Sequence, residues 1–285
     1  MNSHTHGAQR HTSTYEQAWS VSFSLAAKSP TFGPVTHLPG YGKPDTHQFA
    51  GQINVNATCG AYLFFWMVES QSNPVTDPVL IWFNGGPGSS SFIGFFQENG
   101  PYHIVRNSNN SSLVSLQRNP FSWNQRANYL MIDQPAGTGL SFTDNDTCYA
   151  RTEALASDQL YTGVRKFMEL YPRYASNPLF ISSESYGGHF VPELATRILE
   201  GNQQSAGASK LNLHGILVGD GWVNPLVSSS TYAEYAYAHG LVDLAQKVHI
   251  EALYQDCFQE IVNTLPTPSR KADEIWCASH MNSNR

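Results

Sequence analysis

Ser185 stands in Ser183-Glu184-Ser185-Tyr186-Gly187-Gly188, directly after the apolar run Leu179-Phe180-Ile181 and directly before a helix-like stretch over residues 189–199. A hydroxyl on a sharp turn between strand and helix is pushed out of a sheet edge, where it can attack a carbonyl carbon. The oxyanion formed by that attack needs donors already in place. One is the backbone N–H of the residue after the serine, and the other comes from a loop behind an earlier strand. Here those donors are Tyr186 and Gly86, the latter within Asn84-Gly85-Gly86-Pro87-Gly88. Glycine is needed at the second position because a side chain would block the substrate carbonyl. Losing one such donor costs on the order of 3 kcal/mol of transition-state stabilisation. Taken singly, each segment is an ordinary turn; their order behind successive strands is what makes them a site.

The elements around these residues alternate. Residues 48–55 and 62–69 predict an antiparallel hairpin across Asn56-Ala57-Thr58-Cys59-Gly60. Val79-Leu80-Ile81-Trp82-Phe83 is a continuous apolar run of the kind buried on both faces of a parallel sheet. Tyr129-Leu130-Met131-Ile132-Asp133, Leu179-Phe180-Ile181 and residues 213–219 follow it, with helical patterns over 153–170 and 189–199 between them. The fold class predicted is therefore α/β, a mostly parallel central sheet with helices on both faces and function at the carboxyl ends of the strands. The glycine clusters fall at those ends. Residues 1–34 read as a polar, disordered arm, 35–225 as the α/β core, and 226–285 as a helical segment opening a cap or insertion.

The chain of 285 residues is 41% apolar and 13% charged, with 22 acidic against 16 basic residues and a net charge of −6. That supports a substantial core and leaves no nucleic-acid footprint. No run approaches the roughly 18 apolar residues of a membrane span. His4, His6 and His11 lack the carboxylates or thiols that would complete a metal site, so neither metal nor cofactor is expected. Residues 18–27 make a poor signal-peptide core. Asn56, Asn109, Asn110 and Asn145 nonetheless head glycosylation sequons. Of the cysteines, Cys257 and Cys277 are the favoured pair, a short loop whose closure adds about 3 kcal/mol in an oxidising compartment. Cys59 and Cys148 are left open as buried thiols.

The blocks Trp82-Phe83-Asn84-Gly85-Gly86-Pro87-Gly88-Ser89-Ser90, Glu98-Asn99-Gly100-Pro101, Ser122-Trp123-Asn124, Asp133-Gln134-Pro135-Ala136-Gly137-Thr138-Gly139 and Glu184-Ser185-Tyr186-Gly187-Gly188-His189 resemble the signature segments of the serine carboxypeptidase family. The likeness starts near Leu38-Pro39-Gly40 and runs to His239-Gly240-Leu241. It implies an α/β-hydrolase that is vacuolar, lysosomal or secreted and removes residues from peptide C-termini. It makes Ser185 the nucleophile and the N–H groups of Gly86 and Tyr186 the oxyanion hole. Asn84, Gly85, Glu98 and Glu184 become the site for the substrate's terminal carboxylate, with Trp82 nearby. Two adjacent carboxyls cannot both ionise cheaply, so one keeps a proton to donate, and binding should be best at acid pH.

Two positions and one missing segment depart from the expected pattern. Ser183 replaces the first glycine of Gly-x-Ser-x-Gly, and Ser89 stands where most members carry a bridging cysteine. The family's Asp and His lie behind two further strands, and none of His189, His214, His239, His249 or His280 follows a late strand. The expectation is a sheet lacking its C-terminal strands, an unpaired edge at Ile216-Leu217-Val218, and a chain inactive on its own. An incomplete gene product, a short isoform and the large chain of a two-chain enzyme, whose second chain brings Asp and His, all fit. Two alternatives share these residues: an acyltransferase, against which Glu184 argues because such relatives often carry Asp there, and a catalytically silent binder of C-terminal carboxylates.

Overall fold

The computed structural model describes residues 32–107, 110–204 and 210–264. Its elements run Phe32–Pro34 (β1), Gln48–Asn56 (β2), Ala61–Val68 (β3), Val79–Phe83 (β4), Phe92–Gln97 (α1), Tyr102–Asn107 (β5), Asn110–Arg118 (β6), Asn128–Ile132 (β7), Phe142–Thr143 (β8) and Glu153–Leu170 (α2). Leu179–Glu184 (β9), Gly187–Gln204 (α3), Leu213–Gly219 (β10), Pro225–Ser230 (α4), Tyr232–Ala238 (α5) and Leu244–Thr264 (α6) complete them.

Eight strands form one sheet in the order β1-β2-β3-β7-β4-β9-β10, with β8 alongside β3. The first three strands and the β3–β7 junction are antiparallel, whereas β7, β4, β9 and β10 run parallel. Both β4 and β7 are buried at every position, as their unbroken apolar text predicts. Alternate residues serve opposite layers. Val79, Ile81 and Phe83 meet Leu160, Val164 and Phe167 of α2 and Val191, Leu194 and Ile198 of α3. Leu80 and Trp82 face Phe95 and Phe96 of α1 together with Tyr102 and Leu116 of the β5–β6 hairpin. Each large side chain buried this way contributes about 1.5–3 kcal/mol. Helices therefore cover both faces, but on one face a hairpin does much of the work. Its polar turn, around Asn107 and Asn110, hides the period-2 pattern from sequence inspection.

Helix α2 begins where predicted, because Thr152 accepts a hydrogen bond from Leu155 N at 3.3 Å and so caps an otherwise unpaired donor. At the far edge, among the described residues, β10 pairs with β9 alone, and Ile216, Leu217 and Val218 are exposed, as expected. Helices α4, α5 and α6 pack on one another. Strand β1 takes up residues 32–34, the end of the segment read as an arm; residues 1–31, with the three histidines, lie outside the described residues. Among the described residues, no helix is long and apolar enough to cross a membrane.

The cysteine expectation needs correcting. The disulfide joins Cys59 to Cys148, with Cα atoms 5.8 Å apart and a separation of 89 positions in sequence. Cys257 is buried in α6, and Cys277 falls outside the described residues. Short sequence separation favours Cys257 with Cys277, yet pairing is decided by which loops the sheet brings together. Strand β8 beside β3 carries the Cys148 loop onto the β2–β3 turn.

Candidate active site

Ser185 is exposed and holds φ 54°, a left-handed conformation rare outside glycine. Strain of this kind persists only where the surroundings over-determine it. Here Ser185 N donates to Gly219 O at 2.9 Å, while Ser185 O accepts from Trp222 N at 2.8 Å and Gly188 N at 3.0 Å. The end of β10 thus clamps the turn that follows β9. Ser183, the departure at the first glycine, is 1% exposed, and its Oγ would lie 2.0 Å from a Cβ at Gly187. The serine is accommodated because its neighbour one turn on has no side chain.

The loop after β4 lies directly on this turn. A Cβ on Gly85 would come within 2.6 Å of Tyr186 N and 2.7 Å of Glu184 O, and Gly86 holds φ 113°. Only glycines allow that approach. Asn84, 1% exposed, joins the two segments: its Nδ2 donates to Glu184 Oε1 at 2.8 Å. Its Oδ1 accepts from Trp82 Nε1 and from Gly94 N, each at 3.0 Å, which fixes the amide's orientation. Trp82 itself stacks edge-to-face on Trp123 at 5.5 Å.

Glu98 ends α1. Partial burial, and next the charge of Glu184, hold its carboxyl above the ordinary range, so the two glutamates share one electrostatic neighbourhood. The Tyr186 ring packs on the core layer shared by α2 and α3, and its hydroxyl donates to Glu153 in the first turn of α2. Burial, then that contact, raises the phenol's pKa.

One further residue holds the site, and sequence inspection gave it no role. Asp133, fully buried behind β7, accepts from Ser90 Oγ at 2.9 Å, Ser91 N at 2.8 Å and Leu140 N at 2.9 Å. It ties the loop after β4 to the loop after β7. Burial raises its carboxyl pKa despite three donors that lower it. A carboxylate at the end of an apolar strand, ahead of a glycine-rich loop, was the available signal.

His189, His214 and His239 make contacts with residues other than Ser185. The His189 ring packs 4.8 Å from Tyr186, His214 contacts Asn212, and His239 stacks on Tyr235 at 4.0 Å. His280 lies outside the described residues. Among the described residues, no histidine hydrogen-bonds the Ser185 hydroxyl.

A serine on a left-handed turn at the carboxyl end of a central parallel strand, with a glycine loop from the neighbouring strand against it, is the arrangement of an α/β-hydrolase. In keeping with that, the fold matches the crystal structure of a prohormone-processing carboxypeptidase from Saccharomyces cerevisiae with a TM-score of 0.72 and 24% identity, over 84% of this chain and 53% of that one. The family model for serine carboxypeptidases matches residues 39–284, and the chain belongs to the serine carboxypeptidase family. It is 41% identical over 216 residues to "Serine carboxypeptidase S10 family member 1" of Dictyostelium discoideum, covering 76% of this chain and 50% of that protein. It is 40% identical over 196 residues to "Vitellogenic carboxypeptidase" of Aedes aegypti, covering 69% and 39%. The chain spans about half the length of the curated relatives it matches.

Proposed function

We propose that the whole protein is a serine carboxypeptidase that releases C-terminal residues from peptides through an acyl-enzyme on Ser185. The observation that supports this most is the Asn84–Glu184 hydrogen bond beside the raised carboxyl of Glu98, directly against the serine turn. A protonated carboxyl there donates to the substrate's terminal carboxylate, and Asn84 and Gly85 line its approach. Ser185 Oγ attacks the last peptide carbonyl, forming a C–O bond, and the oxyanion rests on Gly86 N–H and Tyr186 N–H. The C–N bond breaks as the leaving amine takes up a proton, and water then hydrolyses the ester.

The attacking hydroxyl needs a base. Asp and His of the triad come from outside the described residues, whether from the rest of a longer chain or from a second chain. The 285 residues alone bind C-terminal carboxylates and are acylated slowly. Binding and the oxyanion hole leave about 10³–10⁴-fold over water. An oxidising compartment of the secretory route, vacuole or lysosome suits the Cys59–Cys148 bridge.

The test is fluorophosphonate labelling at Ser185 with Ser185→Ala as control, together with product analysis of the full-length protein on a blocked dipeptide and an acyl-glucose ester. Sparse labelling of the 285 residues and free amino acid from the full-length protein are expected. Stoichiometric labelling lost in Ser185→Ala would reveal a base within these residues. Acyl transfer without free amino acid would replace peptidase by acyltransferase, and binding without either product would leave a silent binder.

A further inference from the structure

Asn56-Ala57-Thr58-Cys59 and Asn145-Asp146-Thr147-Cys148 repeat one pattern, and the two cysteines that end them are the two that pair. Two of the four sequons are thus each welded at their third neighbour into a single bridge. The loops also lie against one another: Asp144 N donates to Gly60 O at 2.7 Å, and Ala61 is the strand partner of Thr143. In both, the asparagine oxygen accepts from its threonine. Thr58 N donates to Asn56 Oδ1 at 3.0 Å; Thr147 N and Thr147 Oγ1 donate to Asn145 Oδ1 at 2.9 and 3.0 Å. Asn145, Asp146 and Thr147 are all exposed, whereas Asn56 is half-buried and paired with Ala61 in the β2–β3 ladder. Asn145 is therefore the better acceptor.

We propose that Asn145 carries an N-linked glycan, with Asn56 a poorer second acceptor, and that closure of Cys59–Cys148 ends the period in which either can be modified. Transfer forms a bond between Asn Nδ2 and C1 of the reducing-end sugar of a lipid-pyrophosphate-linked oligosaccharide. The sugar–phosphate bond breaks, the lipid pyrophosphate leaves with the electron pair, and Nδ2 gives up one proton. A transferase must take hold of the asparagine and the threonine two residues on as a free segment of chain. Once the bridge forms, residues Asp146–Cys148 sit in a tight helical turn pinned at Cys148, and the segment cannot be drawn out. Bridge formation itself removes two protons and two electrons from the thiols, passing the electrons to the disulfide of an oxidised dithiol carrier. Glycan and bridge compete in time for the same loops. The inference rests on the secretory route proposed above and on nothing concerning Ser185.

The experiment expresses the full chain behind a cleavable secretion signal in a glycosylating cell. Occupancy at each sequon is read by enzymatic glycan release in heavy-oxygen water and mass spectrometry. Asn145 is expected to be partly occupied. Its occupancy, and that of Asn56, should rise in Cys59→Ser, which leaves the Asn145 sequon intact, and in the unaltered chain when a thiol reductant is present during synthesis. The reductant arm does not depend on how the variant folds, and reductant added after the bridge has closed should change nothing. Asn110, whose sequon Asn110-Ser111-Ser112 has no adjacent cysteine, should not respond. A glycan on Asn110 beside a bare Asn145, or an Asn145 occupancy indifferent to reductant, overturns the proposal and leaves the secretory route standing. A chain bare at every sequon likewise overturns the proposal, while the added signal leaves the natural route untested by that outcome and open to localisation of the endogenous protein.

Discussion

Glu98 carries the sharpest consequence of the site at the scale of single residues. Its carboxyl is held above the ordinary range by burial and by Glu184, so the protonated form survives to higher pH than in an unfolded chain. Under the proposed function, a hydrogen bond that it donates to a peptide carboxylate is present at acid pH and lost as pH rises through the raised value. Affinity for a peptide with a free C-terminus should strengthen on acidification, and Glu98→Gln, whose amide donates at every pH, should flatten that profile. Fluorescence titration across pH checks this; a flat profile in the unaltered protein would remove Glu98 from carboxylate recognition. Ser185, Tyr186, Asn84, Gly85, Gly86 and Glu184 stood out in the sequence as candidates because glycine clusters and polar residues interrupt apolar runs at strand ends. Which of them touch was not legible, since Asn84 and Glu184 lie 100 residues apart.

At the scale of elements, Asp133 holds two loops that must stay in register with Ser185. Asp133→Ala leaves Ser90 Oγ, Ser91 N and Leu140 N without their acceptor, and two of those donors belong to the backbone. Leaving such groups unsatisfied costs about 3 kcal/mol together. Urea unfolding should show a lower midpoint at an unchanged slope. A midpoint equal to that of the unaltered protein would mean the loops are held by other contacts. The strands β4 and β7 and helix α2 were readable because packing on both faces, or a capped amphipathic period, writes itself locally. The β5–β6 hairpin was missed because the residues joining its strands are polar in type; among its residues whose burial is described, Tyr102 and Leu116 are the ones in the core.

For the whole molecule the exposed edge at β10 dominates. Ile216, Leu217 and Val218 are 47%, 42% and 37% exposed on a strand with one partner, a surface that templates association between chains. Leu217→Lys should lower the self-association of the 285 residues, seen by light scattering as a smaller average mass at equal concentration. No change would mean that the exposed apolar residues of α4 to α6, such as Val227 and Leu244, are responsible instead.

By itself the sequence determined the α/β class, the strand that leads into the Ser185 turn, the glycine loop that follows the neighbouring strand and the family, because each is written in contiguous residues whose types obey local sterics and periodicity. The tertiary structure alone decided that Cys59 pairs with Cys148, that Asp133 binds two loops together and that Asn84 donates its amide to Glu184. Those are meetings of segments distant in sequence. No local preference encodes them; they follow from sheet order and from which strand ends the packed layers bring into contact.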